Sequence, residues 1–245
     1  MENVFSLKNK TILVTGASSG LGKQTAISAS RMGATLIITG RSADKLADTF
    51  SQLEGQGHIS IPADLTQPDD LDRLTTNLPP LNGVVYSTGI SVLKPTRFIE
   101  QTDIEQNFSI GFNAPVLLTS RLLARKKLVS GNCSLVFISS ISIKYPFVGG
   151  AMYISVKAAL ENYARVLGLE LAPKRIRVNC VAPAFVKGPM LDQTREATNE
   201  DTIRQIEARQ PLGLGEAEDV ANAILFYLSD ASRWVSGTSL IMGGG

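Results

Sequence analysis

A tyrosine and a lysine four positions apart have the residue types and spacing best suited to proton chemistry in this sequence. Tyr153 and Lys157 fall in a helical pattern, so their side chains share one helix face. An ammonium beside a phenol favours the phenolate, and the pair therefore predicts a tyrosine of lowered pKa that serves as an acid or base. The spacing is common on ordinary helices. Ser139 and Ser140, at the end of the strand-like run that precedes this helix, make it more specific.

The composition argues against several other kinds of site and partner. His58 is the only histidine, and Cys133 and Cys180 have no metal-ligand spacing around them, so we expect neither a histidine-dependent triad nor a metal. A net charge of +2 with scattered basic residues argues against nucleic acid. The N-terminus lacks the apolar core of a signal peptide, and no apolar run approaches about 18 residues. We therefore expect a cytoplasmic protein without a membrane partner.

A glycine-rich segment, TGASSGLG at 15–22, follows the first strand-like run and opens a helical pattern. Glycines let the backbone approach a pyrophosphate, and the free amides that begin a helix favour its charge. Three residues separate the first two glycines, unlike the spacing G-x-G-x-x-G, and a tight strand-to-helix connection is the alternative interpretation. Its place after the first strand of an alternating chain favours phosphate binding.

The end of the second strand-like run indicates which dinucleotide is bound. Arg41 and Ser42 stand about twenty residues past the glycines, where a dinucleotide-binding fold places the residue that reads the ribose. An acid there favours NAD, whereas Arg41 can pair with the 2′-phosphate of NADP and Ser42 can donate beside it. A surface arginine before a helix cap is the alternative, but it does not explain the missing acid. Asp64, after the third run, can meet the adenine amino group.

Seven β-rich apolar runs alternate with helical patterns, at 11–15, 36–39, 59–61, 84–87, 135–139, 176–181 and 240–242. Runs such as TILVT and LVFIS are apolar on both faces, which is typical of parallel strands between helix layers. We predict an α/β fold: a single-domain, doubly wound Rossmann-like arrangement over residues 1–245, with a seven-stranded parallel sheet. The polar segment 185–211, before a helix that begins near Ala217, predicts a substrate lid.

Taken together, these segments resemble the short-chain dehydrogenase/reductase family, in its 3-oxoacyl-(acyl-carrier-protein) reductase-like form. The resemblance runs from Lys10 to Gly244. It rests on TGASSGLG at 15–22, Asp64, Ser140, Tyr153 with Lys157, RVNCVAP at 177–183, and Ser236 with Gly237.

The resemblance implies an NADP(H)-dependent oxidoreductase that moves a hydride between nicotinamide and the carbonyl or alcohol carbon of a small substrate. Tyr153 would be the general acid in reduction, Lys157 would hold the nicotinamide ribose, and Ser140 would hydrogen-bond the substrate oxygen. It also implies a homodimer or homotetramer whose faces are formed by helices at 104–128 and 151–171. The implied cofactor-binding residues are Gly16, Ser18, Ser19, Gly20, Leu21, Arg41, Ser42, Asp64, Leu65, Ser87, Gly89, Tyr153, Lys157, Pro183 and Val186.

One departure from the family pattern bears directly on catalysis. Gly111 stands where the family has an asparagine that anchors a water linking the lysine to solvent. Asn107 lies one helical turn earlier on the same face, and we hypothesise that it replaces this proton relay. On that hypothesis Gly111→Asn is tolerated or beneficial. The segment YSTG at 86–89 also replaces Asn-Asn-Ala-Gly.

Two alternative functions follow from the same residues. A non-catalytic NADP-binding or regulatory protein would keep the fold, but the retained serine, tyrosine and lysine favour an enzyme. An NAD-dependent dehydrogenase is disfavoured by Arg41. Four apolar residues have two interpretations, either as the lining of an apolar substrate pocket or as part of the packed core. They are Phe147, Met152, Phe185 and Met190.

Overall fold

The computed structural model describes residues 3–197, 204 and 208–244. In this part of the chain one parallel sheet has the strand order β3-β2-β1-β4-β5-β6-β7. The order reverses between β1 and β4, and ligands of such sheets bind outside the carboxyl ends of the strands at that reversal. The strands are β1 Thr11–Thr15, β2 Thr35–Gly40, β3 Ile59–Pro62, β4 Gly83–Tyr86, β5 Cys133–Ile138, β6 Ile176–Pro183 and β7 Ser239–Met242.

Helices cover both faces of this sheet, so side chains on both sides of each central strand are buried. On one face Leu13 and Val84 join a core formed with α3, α5 and α6, and on the other Ile12 and Val85 join one formed with α1, α2 and α8. The predicted doubly wound, single-domain fold is confirmed. The helices are α1 Gly20–Arg31, α2 Ala43–Ser51, α3 Pro68–Thr76, α4 Gln101–Phe108, α5 Ala114–Ala124, α6 Ala151–Leu171, α7 Pro189–Ala197 and α8 Ala217–Leu228.

The stretch predicted as a single helix at 104–128 is instead interrupted. A π-helical turn, Ser109–Asn113, separates α4 from α5, and the chain leaves helical geometry after Ala124. Gly111 is buried in the turn, and Pro115 stands in the first turn of α5. Such turns occur frequently at functional sites. Here the turn packs against α6, the helix that carries Tyr153 and Lys157.

The predicted lid at 185–211 contains α7, and its two ends are joined. Gln210 is buried, accepts a hydrogen bond from the amide of Phe185 at 3.2 Å and donates one to the carbonyl oxygen of the same residue at 3.0 Å. Residues 198–203 and 205–207 of this segment lie outside the described residues. The role as a lid therefore stays a prediction.

Three features bear on the classes of site considered above. Cys133 and Cys180 are both free and buried. Within the described ranges no helix is both long and apolar enough to cross a bilayer. The same ranges contain no group of three or more His, Cys, Asp or Glu side chains placed to share a metal ion.

Candidate active site

A cavity of about 2300 Å³ lies at the carboxyl ends of the strands, on both sides of the β1–β4 reversal. Its walls include every residue that the sequence predicted to be catalytic or to bind the cofactor. These are Gly16, Ser18, Ser19, Gly20, Leu21, Arg41, Ser42, Asp64, Leu65, Ser87, Gly89, Ser140, Tyr153, Lys157, Pro183 and Val186. The topology thus brings residues from six strand ends to one continuous space.

The glycine-rich segment connects β1 to α1 by a turn that admits no larger residue at two positions. Gly16 has φ of 63°, and a Cβ there would lie 2.7 Å from the carbonyl oxygen of Ser87. A Cβ on Gly22 would lie 2.3 Å from the carbonyl oxygen of Gly16. The first turn of α1 thus packs against Gly16, and Gly16 in turn packs against the loop that follows β4.

The N-terminus of α1 opens into the cavity, and its own first turn supplies no anion. Its N-cap residue, Ser19, makes no side-chain cap hydrogen bond, and the first turn has no acidic residue. Free amides at the positive end of a helix favour a bound phosphate. Thr88, on the cavity wall, has a buried hydroxyl oxygen without a hydrogen-bond partner in the described structure. These donors fit a dinucleotide.

A cationic pair lines the cavity beyond the end of β2. Arg41 is exposed and forms no ion pair or hydrogen bond within the described residues, and Ser42 caps α2 by accepting from the amide of Lys45 at 3.4 Å. The side chain of Lys45 lines the same part of the cavity. The sequence analysis missed Lys45, although its position one turn after Arg41 was a signal that could have found it.

The carboxylate of Asp64 is held at the cavity wall by its own turn. One oxygen accepts from the amide of Thr66 at 2.9 Å and from its hydroxyl at 2.7 Å. The backbone amide of Asp64 donates to Asp70 at 2.7 Å. The turn orients Asp64 and occupies one carboxylate oxygen, while the other makes no hydrogen bond within the described structure.

The hydroxyl of Ser140 is set by a second serine that the sequence analysis missed. Ser140 N-caps a short 3-10 turn, and its oxygen accepts from the amide of Ser142 at 3.2 Å and from its hydroxyl at 2.8 Å. Both serines are buried. Since the Ser140 oxygen accepts two hydrogen bonds, its own O–H is left to donate into the cavity. No sequence signal separates Ser142 from its neighbours.

Tyr153 and Lys157 lie on the cavity side of α6. Lys157 is 5% exposed, and its ammonium donates to the carbonyl oxygen of Ile138 at 2.7 Å and lies 5.8 Å from the centre of the Tyr153 ring. A Cβ on Gly89 would lie 3.3 Å from this ammonium nitrogen, so the loop after β4 closes over it. The predicted shared orientation of phenol and ammonium is present.

The direction of the tyrosine pKa differs from the expectation. Burial raises the pKa of Tyr153, and the neighbouring hydroxyl of Ser140 opposes the rise only in part. Burial also lowers the pKa of Lys157 to about 8. The effect of burial on the Tyr153 pKa exceeds that of the nearby ammonium, because Lys157 donates its hydrogen bond to the carbonyl oxygen of Ile138 rather than to the phenol oxygen. Near neutral pH the phenol therefore keeps its proton.

Packing against α6 explains why this chain has Gly111 in the π-turn where the family has an asparagine. A Cβ on Gly111 would lie 2.4 Å from Cγ1 of Val156, the residue between the tyrosine and lysine on α6. Asn107, the proposed substitute relay, does not line the cavity, and its amide donates to the backbone oxygen of Asp103 at 2.7 Å. Val156 thus fills the place of an asparagine side chain, and the geometry argues against a relay through Asn107.

Gly111→Asn should therefore destabilise the protein, contrary to the expectation from sequence. Val156 is β-branched and stiff in a helix, so the clash should cost about 1 to 3 kcal/mol. This exceeds the few tenths of a kcal/mol, roughly, that are gained when asparagine, itself a poor helix former, replaces a mid-helix glycine. Urea denaturation measures this difference in unfolding free energy.

A double-mutant cycle provides the control. Adding Val156→Ala to Gly111→Asn should recover part of the lost stability, because the two changes act on one space. A Gly111→Asn protein as stable as the unmutated one would contradict the steric explanation.

The apolar residues considered for a substrate pocket separate into two groups. Phe147, Phe185 and Met190 line the cavity, as do Tyr145 and several apolar residues after β4. Met152 does not line it. The catalytic end of the cavity is therefore largely apolar around the three polar side chains of the site.

Comparison with known proteins identifies the family. The family described as Enoyl-(Acyl carrier protein) reductase matches residues 16–245. The chain is similar to D-erythrulose reductase from Gallus gallus, with 31% identity over 100% of this chain and 98% of that protein. It is also similar to a 3-oxoacyl-(acyl-carrier-protein) reductase from Rickettsia felis, with 31% identity over 99% of this chain and 98% of that protein.

A solved structure leads to the same conclusion. It is described as a short chain dehydrogenase/reductase family protein and superposes with a TM-score of 0.87 at 28% identity, over 98% of each chain. The glycine loop, the serine and the tyrosine–lysine pair occupy one cavity at the sheet reversal. The chain therefore belongs to the short-chain dehydrogenase/reductase family and is an oxidoreductase that transfers a hydride between a nicotinamide cofactor and a carbonyl or alcohol carbon.

Proposed function

We propose that this protein is an NADPH-dependent reductase of a small carbonyl substrate, with Ser140, Tyr153 and Lys157 as its catalytic residues. The observation that carries the proposal is their convergence in one cavity. The same cavity contains the glycine loop and Arg41, which has no ion-pair partner among the described residues. Bound NADPH supplies the hydride. The remaining work, which is orientation and proton supply, falls to the protein.

The protonation states favour reduction at neutral pH. With its pKa raised by burial, Tyr153 carries the proton that a developing alkoxide requires. The free O–H of Ser140 donates to the same substrate oxygen and steadies its charge. Lys157 is a cation below pH of about 8, so it can hold the ribose hydroxyls while bound to the strand carbonyl.

The other residues of the cavity wall can be assigned to the pyrophosphate, the adenine and the nicotinamide of a bound dinucleotide. The loop glycines, Ser18 and Ser19, with Leu21, would surround the pyrophosphate at the start of α1. Asp64 and Leu65 would flank the adenine, and the orienting hydrogen bonds from Thr66 favour this role for the carboxylate. We assign the nicotinamide side to Ser87, Gly89, Pro183 and Val186.

The preference for NADPH rests on charge at the end of β2. Arg41 has no protein partner in the described structure, and Lys45 lines the same region, so two cations face a space without a neutralising ion pair. A guanidinium matches a phosphate with paired hydrogen bonds. An adenosine 2′-phosphate satisfies this charge, and a plain ribose does not.

Arg41→Ala should remove most of the preference for NADPH over NADH. The lost interaction is a hydrogen bond to a charged group, for which about 1.5 to 3 kcal/mol is typical, a roughly tenfold to 150-fold change in affinity. Quenching of intrinsic fluorescence on titration with each cofactor measures both dissociation constants.

Lys144→Ala is the matched control, because this cation lines the cavity at its catalytic end. It should leave the ratio of the two dissociation constants unchanged. Equal affinity of the unmutated protein for NADPH and NADH would overturn the assignment of NADP. A screen of carbonyl compounds that follows NADPH absorbance tests the reductase activity itself.

A non-catalytic NADP-binding protein is the second candidate, and the packing at Gly111 favours it. Val156 occupies the space of the family's asparagine, which removes a known element of proton resupply. Such a protein would bind NADPH in the titration and turn over nothing in the screen. The retained, well-oriented Ser140 and Tyr153 favour the enzyme.

We also propose a homo-oligomer and a lid over the substrate. Val166 and Leu169 are exposed on α6, with Leu169 at 78%, and Leu117 is exposed on α5. A second copy of the chain would cover these apolar side chains. The segment 185–211 would form the lid, since its described part lines the cavity through Phe185 and α7.

A further inference from the structure

Glu161 is a buried carboxylate to which the proposed mechanism assigns no role. It lies on α6 one helical turn beyond Lys157, is 8% exposed and does not line the cavity. One oxygen accepts from the hydroxyl of Ser139 at 2.9 Å and from that of Ser239 at 3.2 Å. The other accepts from Arg165 at 2.8 Å.

The Ser139 hydrogen bond connects this carboxylate to the residue beside Ser140. The backbone at Ser140 is extended, with φ of −158° and ψ of 144°, and successive side chains of extended backbone point in opposite directions. Accordingly, the hydroxyl of Ser139 reaches Glu161 on α6, whereas the hydroxyl of Ser140 lies against Ser142, although both residues border the cavity. A rotation of the chain at Ser139 would therefore move the Ser140 hydroxyl.

The contact has the properties of a firm anchor. A hydrogen bond to a carboxylate is about twice as strong as one between neutral groups, and burial strengthens it further. The backbone of Ser139 is also held by β6, because its amide donates to the carbonyl oxygen of Val181 at 2.7 Å. The end of β5 is thus held to α6, the same helix that carries Tyr153 and Lys157.

We propose that Glu161 is a positioning residue that fixes Ser140 relative to Tyr153 through the hydroxyl of Ser139. The proposal rests on the proposed catalytic function of Ser140. It joins the three catalytic side chains into one unit. Two are built on α6, and the third is tied to α6 by a buried carboxylate, next to the hydrogen bond that Lys157 donates to Ile138.

The two serines that share one oxygen of Glu161 provide a matched test. Ser139→Ala removes the contact beside the site, and Ser239→Ala removes the equivalent contact to β7, which carries no catalytic residue. Ser139→Ala should lower kcat about tenfold or more, in line with the large cost of small displacements at a reacting centre. Ser239→Ala should leave kcat unchanged, and neither variant should alter NADPH affinity.

Substitution of Glu161 itself tests the acceptor. Glu161→Gln keeps one acceptor oxygen and should retain more of kcat than Glu161→Leu, which fills a similar volume without one. Thermal denaturation of all four variants separates lost stability from lost turnover. A purely structural role would lower the melting temperature without this order in kcat.

Hydrogen exchange of the backbone gives a second readout that does not depend on activity. In Ser139→Ala and Glu161→Leu the amides of residues 139–142 should exchange faster, whereas Ser239→Ala should leave them unchanged. Equal kcat and equal exchange in Ser139→Ala and Ser239→Ala would overturn the proposal. If the unmutated protein reduces no carbonyl, the proposed function fails, and the exchange rates still decide whether Glu161 holds this segment.

Discussion

Tyr153→Phe is expected to lower kcat by about 10²- to 10⁴-fold, the range that general acid catalysis contributes. The substitution removes only the hydroxyl, which carries the proton at neutral pH because burial raises its pKa. The ring is kept, so NADPH affinity should be nearly unchanged. Steady-state assays with saturating carbonyl substrate give kcat, and fluorescence titration gives the dissociation constant of NADPH.

Tyr145→Phe is the matched control for this substitution. Tyr145 also lines the cavity, but it is 57% exposed and its hydroxyl makes no hydrogen bond in the described structure. Its loss should leave kcat close to that of the unmutated protein. Tyr153→Phe retaining most of its activity on a good substrate would show that another group supplies the proton.

Lys157→Met is expected to reduce both turnover and NADPH affinity and to remove a pH dependence of binding. Burial places the pKa of Lys157 near 8, below its ordinary value of 10.5, so the side chain is a cation below pH of about 8 and neutral above it. NADPH affinity of the unmutated protein should therefore fall as the pH rises through about 8. Titrations from neutral to alkaline pH measure this directly.

Cys180 and Tyr153, the ionisable groups next to Lys157, have pKa values above this pH range. Burial raises the pKa of Cys180 to about 12, and that of Tyr153 also lies above its ordinary value. Lys144→Met, a change of an exposed cation on the cavity wall, should preserve the decline in affinity. A pH dependence that persists in Lys157→Met would assign the titration to a different group.

Much of the fold was predictable because its signals are local. Runs such as TILVT are buried on both faces, and the observed strands match the predicted ones to within one or two residues. The glycine segment was placed between the first strand and the first helix by its position in the sequence, and Gly16 and Gly22 are required there by contacts with nearby backbone. The helical register of Tyr153 and Lys157 likewise follows from residues four apart.

The interruption of the helix between 104 and 128 was not predictable from periodicity. The turn brings Gly111 against Val156, which lies far from it in the sequence and meets it only because the π-turn packs on α6. The same contact reverses the expectation for Gly111→Asn. Asn107 shares a helix face with Gly111, as its spacing indicates, but its amide is used by the backbone of Asp103.

The chemistry of the site divides in the same way. The sequence by itself determined which side chains are present and which strand ends carry them, because alternation of strands and helices brings those ends to one edge of the sheet. Only the tertiary structure decided their electrostatics. The direction of the Tyr153 pKa depends on burial, and the anchoring of Ser139 depends on Glu161, which lies 22 positions away and meets it only because α6 packs across β5.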